Sequence, residues 1–111
     1  MIEIVECLDS RGRSPYREWF LSLDSQTAAI VAVAIERLAD GNTSRAKSIG
    51  EGAAEIRIDR GPGYRIYFGW VGKTLVVLLG GGTKRRQQRD IAEALMLWRL
   101  YKARKVSARR R

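Results

Sequence analysis

The run from Glu55 to Phe68, EIRIDRGPGYRIYF, limits the fold of this chain more than any other segment. Ile56 and Ile58 alternate with Arg57 and Asp59, and Tyr64, Ile66 and Phe68 alternate with Arg65, Tyr67 and Gly69. A period of two belongs to strands with one apolar face. Arg60-Gly61-Pro62-Gly63 between them has turn composition, so the two strands should form an antiparallel hairpin. Residues directly opposite share a face. A four-residue loop would set Arg57 opposite Ile66 and mix the faces, whereas a three- or five-residue loop sets it opposite Arg65 or Tyr67. In either case Arg57, Arg65 and Tyr67 emerge on one side and the isoleucines on the other.

The elements around the hairpin follow from similar signals. Thr74 to Leu79 is continuously apolar, as expected of a strand that is central or covered on both sides. Gly80-Gly81-Gly82 then reads as a loop that delivers Lys84, Arg85 and Arg86. Ile2 to Cys7 suggests a short first strand. Ser14 before Pro15 signals a helix start, and that helix should run to about Leu23. Asp24 or Ser25 can cap a second helix with an apolar stripe of Ala28, Val31, Ala34, Ile35 and Leu38, ending near Gly41. Residues 42 to 52 read as a connecting loop. A last helix should start between Gln88 and Asp90 and end at about Ala103, with Trp98 on its apolar stripe. The expected fold is α+β: a small, mostly antiparallel sheet of about four strands, two N-terminal helices on one face, and a C-terminal helix. One domain covers residues 1–103, with a basic tail at 104–111.

Charge is unevenly placed. Residues 1–83 balance ten Lys/Arg against ten Asp/Glu, while residues 84–111 hold eleven basic residues against Asp90 and Glu93, which accounts for the net +9. This asymmetry points to nucleic acid or an acidic protein partner. With no histidine and only Cys7, a transition-metal site is close to excluded, and no metal or small-molecule cofactor is expected. Cys7 is read as a small buried residue. The N-terminus has acids where a signal peptide needs a basic region, and no apolar run is long enough to span a bilayer, so a cytoplasmic location without membrane attachment is expected.

The cations suggest phosphate chemistry. Guanidinium stays charged and offers a planar donor fork for two phosphate oxygens. Several such forks can hold a pentacovalent phosphorus better than the ground-state diester, which lowers a barrier. RNA supplies its own nucleophile, the 2′-hydroxyl, so strand cleavage needs neither protein nucleophile nor metal. Arg57, Arg65, Lys84 and Arg85 are the candidate catalytic residues. Lys84, among other cations, is the candidate proton acceptor, with Asp59 second. Arg86, Arg89, Arg60 and Tyr67 are candidate RNA contacts, Tyr67 by base stacking. Singly, each of these side chains is ordinary on a sheet surface; the shared face gives the set its weight.

The phrases IRIDRGPGYRIYF and LLGGGTKRRQQRDI, in the order strand, two helices, strands, basic segment, resemble the RelE/ParE toxin superfamily of toxin–antitoxin modules. In particular they resemble its HigB-like "addiction module killer protein" branch, over about Ile4 to Trp98. The resemblance implies a toxin that enters the ribosomal A site, cuts mRNA and inhibits translation, held in check by a cognate helix-turn-helix antitoxin that covers the basic patch or hinders docking on the ribosome. Leu97, Trp98 and the basic tail are candidate antitoxin contacts, with burial in the core the first expectation for Trp98. Arg65 matches the arginine of the family's GYR strand, Arg57 the basic position in the preceding strand, and Lys84-Arg85 the Lys-Arg after the last strand. Where some members place a tyrosine or histidine on the final helix, this chain has Ile91 and no histidine. Two alternatives share the scaffold: a ParE-like inhibitor of DNA gyrase that cuts nothing, and a non-catalytic basic nucleic-acid-binding module. Convergence of the cations in one patch favours the nuclease; scattered cations favour the others.

Overall fold

The structure is a computed structural model that describes residues 1–109. Its elements are β1 (Glu3–Glu6), α1 (Pro15–Leu21), α2 (Ser25–Ala39), β2 (Ala46–Gly50), β3 (Ala53–Ile58), β4 (Tyr64–Val71), β5 (Leu75–Thr83), a short 3-10 turn (Lys84–Arg86) and α3 (Gln87–Arg109). Local chemistry sets the helix starts. The Ser14 hydroxyl accepts from Arg17 N at 3.0 Å ahead of Pro15, and the Asp24 carboxylate accepts from Thr27 N at 3.1 Å. Asp24, rather than Ser25, is therefore the cap of α2.

The five strands form one sheet in the order β1-β5-β4-β3-β2, with β1 parallel to β5 and the other pairs antiparallel. The hairpin register sets Arg57 opposite Arg65 and Ile58 opposite Tyr64, as a five-residue loop requires. Ile56, Ile58, Ile66, Phe68, Val76 and Leu78 pack under α1 and α2. The expected α+β class and the placement of the N-terminal helices are borne out.

Three features differ from expectation. The fifth strand, β2, lies within the segment read as a loop. Its two partly buried apolar residues, Ala46 and Ile49, fall on opposite faces and join opposite cores, so no alternating apolar stripe marks it, and a bulge between Ser48 and Gly50 shifts its register. The triple glycine is strand rather than loop: Gly80, Gly81 and Gly82 pair with Tyr67, Ile66 and Arg65. A Cβ on Gly81 would run into the Trp19 ring and one on Gly82 into the Asp90 carboxylate, so bare backbone here admits close packing on both faces. Lastly, α3 continues past Ala103 to Arg109, taking in most of the segment read as a tail; residues 110 and 111 lie outside the described residues.

The position of α3 is the most consequential of these findings. It lies across the arginine face of the sheet and builds a second core with Ala53, Tyr67, Val77, Leu79 and Cys7. Trp98 anchors it. The indole packs on Gly69, where an added Cβ would sit 2.6 Å from the ring, and donates to Glu51 O at 2.8 Å. Arg99 pairs with the Glu51 carboxylate from the next position. Trp98 is thus a core residue, as first expected.

Candidate nucleic-acid interface

Strand pairing places the charged residues in two rows across one face. Lys47, Glu55, Tyr67 and Gly80 are successive partners across β2, β3, β4 and β5. In the adjacent row Arg57, Arg65 and Gly82 are partners, and Arg45 directly precedes the Ala46 that pairs with Ile56. Neighbouring strands lie about 4.8 Å apart, so this end of the sheet concentrates positive charge.

The face divides into a covered half and an open half. In the covered half, Arg65 and Tyr67 are only 3% and 1% exposed, beneath the first turns of α3. Arg65 Nε stands 3.4 Å from Glu55 Oε2, and Gln87 Nε2 donates to both Glu55 oxygens at 3.0 and 3.2 Å. Arg65 is therefore neutralised by an internal carboxylate and cannot act as an open phosphate ligand in this conformation. Tyr67 cannot stack a base. Burial, with the Glu55 and Asp90 carboxylates adding to it, pushes its phenol far above the ordinary range, so it stays neutral. The sequence reading failed here because an alternating strand looks the same whether its polar side meets water or a helix.

In the open half, Arg57 is exposed and shares a cleft of about 300 Å³ with Arg45, Lys47, Glu55 and Asp59. Arg45 and Lys47 were not foreseen, because the strand that presents them was not. Lys84, Arg85 and Arg86 are also exposed, in the turn after β5. Lys84 N donates to Gly63 O at 3.0 Å, which ties that turn to the β3–β4 loop at the same end of the sheet. The remaining candidates point elsewhere. Arg60 turns to α2, donating to Thr27 Oγ1 and Gln26 Oε1 at 3.0 Å each. Arg89 pairs with Glu93 on the outer surface of α3 at 3.3 Å.

The structure therefore brings together Arg57 with Arg45 and Lys47, sets the Lys84–Arg86 turn at the same end of the sheet, buries Arg65 and Tyr67, and diverts Arg60 and Arg89. Among the described residues no cluster of His, Cys, Asp and Glu could hold a metal ion.

Residues 18–111 match the family described as phage derived protein Gp49-like (DUF891). The chain belongs to that family. A similar protein is an uncharacterised protein of Haemophilus influenzae, 40% identical over 83 residues, which are 74% of this chain and 84% of that protein. Among solved structures, a mutant of the E. coli toxin RelE in the free state superposes with a TM-score of 0.62 at 17% identity. The match covers 86% of this chain and 97% of that one. The Gp49-like chain thus has the RelE fold that its sequence resembles. No described helix is long and apolar enough to cross a membrane.

Proposed function

We propose that this Gp49-like protein is the toxin of a toxin–antitoxin pair, of the HigB-like kind, and that it cleaves mRNA on the ribosome. The 2′-hydroxyl gives up its proton and attacks the adjacent phosphorus. The bond to the 5′-oxygen breaks to leave a 2′,3′-cyclic phosphate and a 5′-hydroxyl protonated from solvent, and exposed cations hold the negative charge that develops on the phosphate. The observation that carries the reading is the exposed set Arg45, Lys47 and Arg57 at one end of a sheet face, with Lys84, Arg85 and Arg86 in a turn held against the same end. The aliphatic side chains of the other face pack against α1 and α2, which leaves the charged face for a polyanion to approach. Arg57 is the residue that both the resemblance and its exposure support best as a charge stabiliser, with Lys84 as a second cation; Asp59, which shares the cleft with Arg57, is the group able to accept the 2′-hydroxyl proton. Arg65 acts from beneath, by holding Glu55.

One observation favours the non-cleaving alternative. Glu55 takes Arg65 out of the open site, and Glu55 and Asp59 share the cleft with the free cations. A gyrase-directed inhibitor needs no convergent phosphate site.

The two readings separate in cells. Inducing the chain and mapping mRNA 5′ ends should give discrete cuts within translated regions, lost on Arg57→Ala. Intact mRNA with gyrase-dependent DNA damage would replace this proposal with the alternative.

A further inference from the structure

Helix α2 has more apolar side chains than the sheet buries. Val31 and Leu38 are fully enclosed, yet Ile30 and Val33 remain 38% and 43% exposed. They are not isolated. Together with Ala34, Ala46, Ile56 and Ile58 they line an open groove of about 370 Å³ between α2 and the outer edge of the sheet. The charged residues lining that groove are Arg37, Arg45 and Arg57; no carboxylate lines it. Arg45 and Arg57 also line the cationic cleft, so groove and cleft adjoin.

We infer that this groove docks one amphipathic helix of a partner protein, with aliphatic residues at i, i+3 and i+7 on its inner face and carboxylates along both flanks. Ile30 and Val33 are three residues apart on one wall and offer the ridge against which a second helix packs. An added strand would pair along the open outer edge of β2, whereas one wall of the groove is made of α2 side chains, which suits a packed helix. RNA fits poorly too, because the groove is lined by aliphatic residues and presents no aromatic ring to a base. Three guanidinium groups without a lining carboxylate select an acidic occupant, since a basic one would meet like charge throughout. For the partner's identity the inference rests on the toxin reading: the occupant is a segment of the antitoxin, and by lying along the groove it closes the approach to Arg57.

The full chain can be tested with a synthetic helical peptide of about 16 residues, long enough for about four turns, with Leu at those spacings and Glu on both flanks. A second peptide carries Lys in place of Glu. Backbone amide shifts should cluster on residues 29–37, 46 and 56–58. Val33→Asp should weaken binding by about tenfold or more, with circular dichroism confirming a retained fold. If Val33→Asp unfolds, the charge swap decides: Arg37→Glu with Arg45→Glu should lose the Glu peptide and gain the Lys peptide. Shifts on the α3 face, equal binding of both peptides, or no binding at millimolar peptide would overturn the inference. Because the readout is binding alone, a chain that cuts no RNA would refute the nuclease reading without deciding this one.

Discussion

Arg57 and Arg65 are cross-strand partners in one row, and the fold gives them opposite environments: Arg57 opens to water, while Arg65 is enclosed with Glu55. A buried pair adds little net stability as a pair, but removing one member leaves the other charge uncompensated. Arg65→Ala is therefore expected to lower unfolding free energy by about 3–5 kcal/mol in urea titration. The double change Arg65→Met with Glu55→Leu should cost far less. A loss below about 1 kcal/mol for Arg65→Ala would show that the pair is not structural. The sequence revealed that these arginines share a face, because a strand's period fixes that much. It could not reveal which of them a distant helix would cover, because that depends on packing between residues some thirty positions apart.

Among the elements, the helices and the hairpin were legible because their signals are local: hydroxyl or carboxylate caps, proline at a first turn, and glycine in a tight loop. The Asp24 cap has a pH consequence. A hydrogen bond with the Thr27 side chain, then one from its backbone N–H, holds the Asp24 carboxyl below its ordinary value of 3.8. A carboxyl with a depressed folded-state pKa contributes stability above its unfolded value, and that contribution is lost as pH falls through the folded value. Asp24→Asn, which keeps an acceptor but cannot titrate, should flatten the part of the acid-unfolding curve that begins near pH 4; an unchanged curve would rule the cap out as a contributor. Gly81 and β2 were illegible for complementary reasons. Gly81 looked like loop because it lacks a side chain, yet that lack is what admits the Trp19 ring. Gly81→Ala is expected to cost about 1–3 kcal/mol by overpacking, measured as a lower denaturant midpoint. β2 was hidden because its two apolar side chains, Ala46 and Ile49, lie on opposite faces and leave no stripe to read.

At the scale of the whole molecule, the surplus of positive charge sits in the final quarter of the chain, and the fold carries part of it back to the sheet. The Lys84–Arg86 turn lies beside the β3–β4 loop, while Arg99 and Arg104 hold α3 to Glu51 and to Leu8 O. Net charge alone therefore overstates the polyanion site, and the exposed subset defines it. Binding to RNA should weaken linearly on a log scale with salt, and each of Arg57→Ala, Lys84→Ala and Arg85→Ala should reduce that slope by about 1. Arg89→Ala and Arg60→Ala should leave it nearly unchanged. Equal effects from all five would mean that binding is diffuse and no site exists.

The most direct test of an open cationic site acting on RNA is the single-turnover cleavage rate on translating ribosomes at saturating protein, compared between the native chain and Arg57→Ala. The expected result is a rate at least about tenfold lower, by analogy with removal of an oxyanion donor, with affinity for the ribosome little changed and the melting temperature retained. Equal rates in the two proteins, or a loss confined to affinity, would contradict the account.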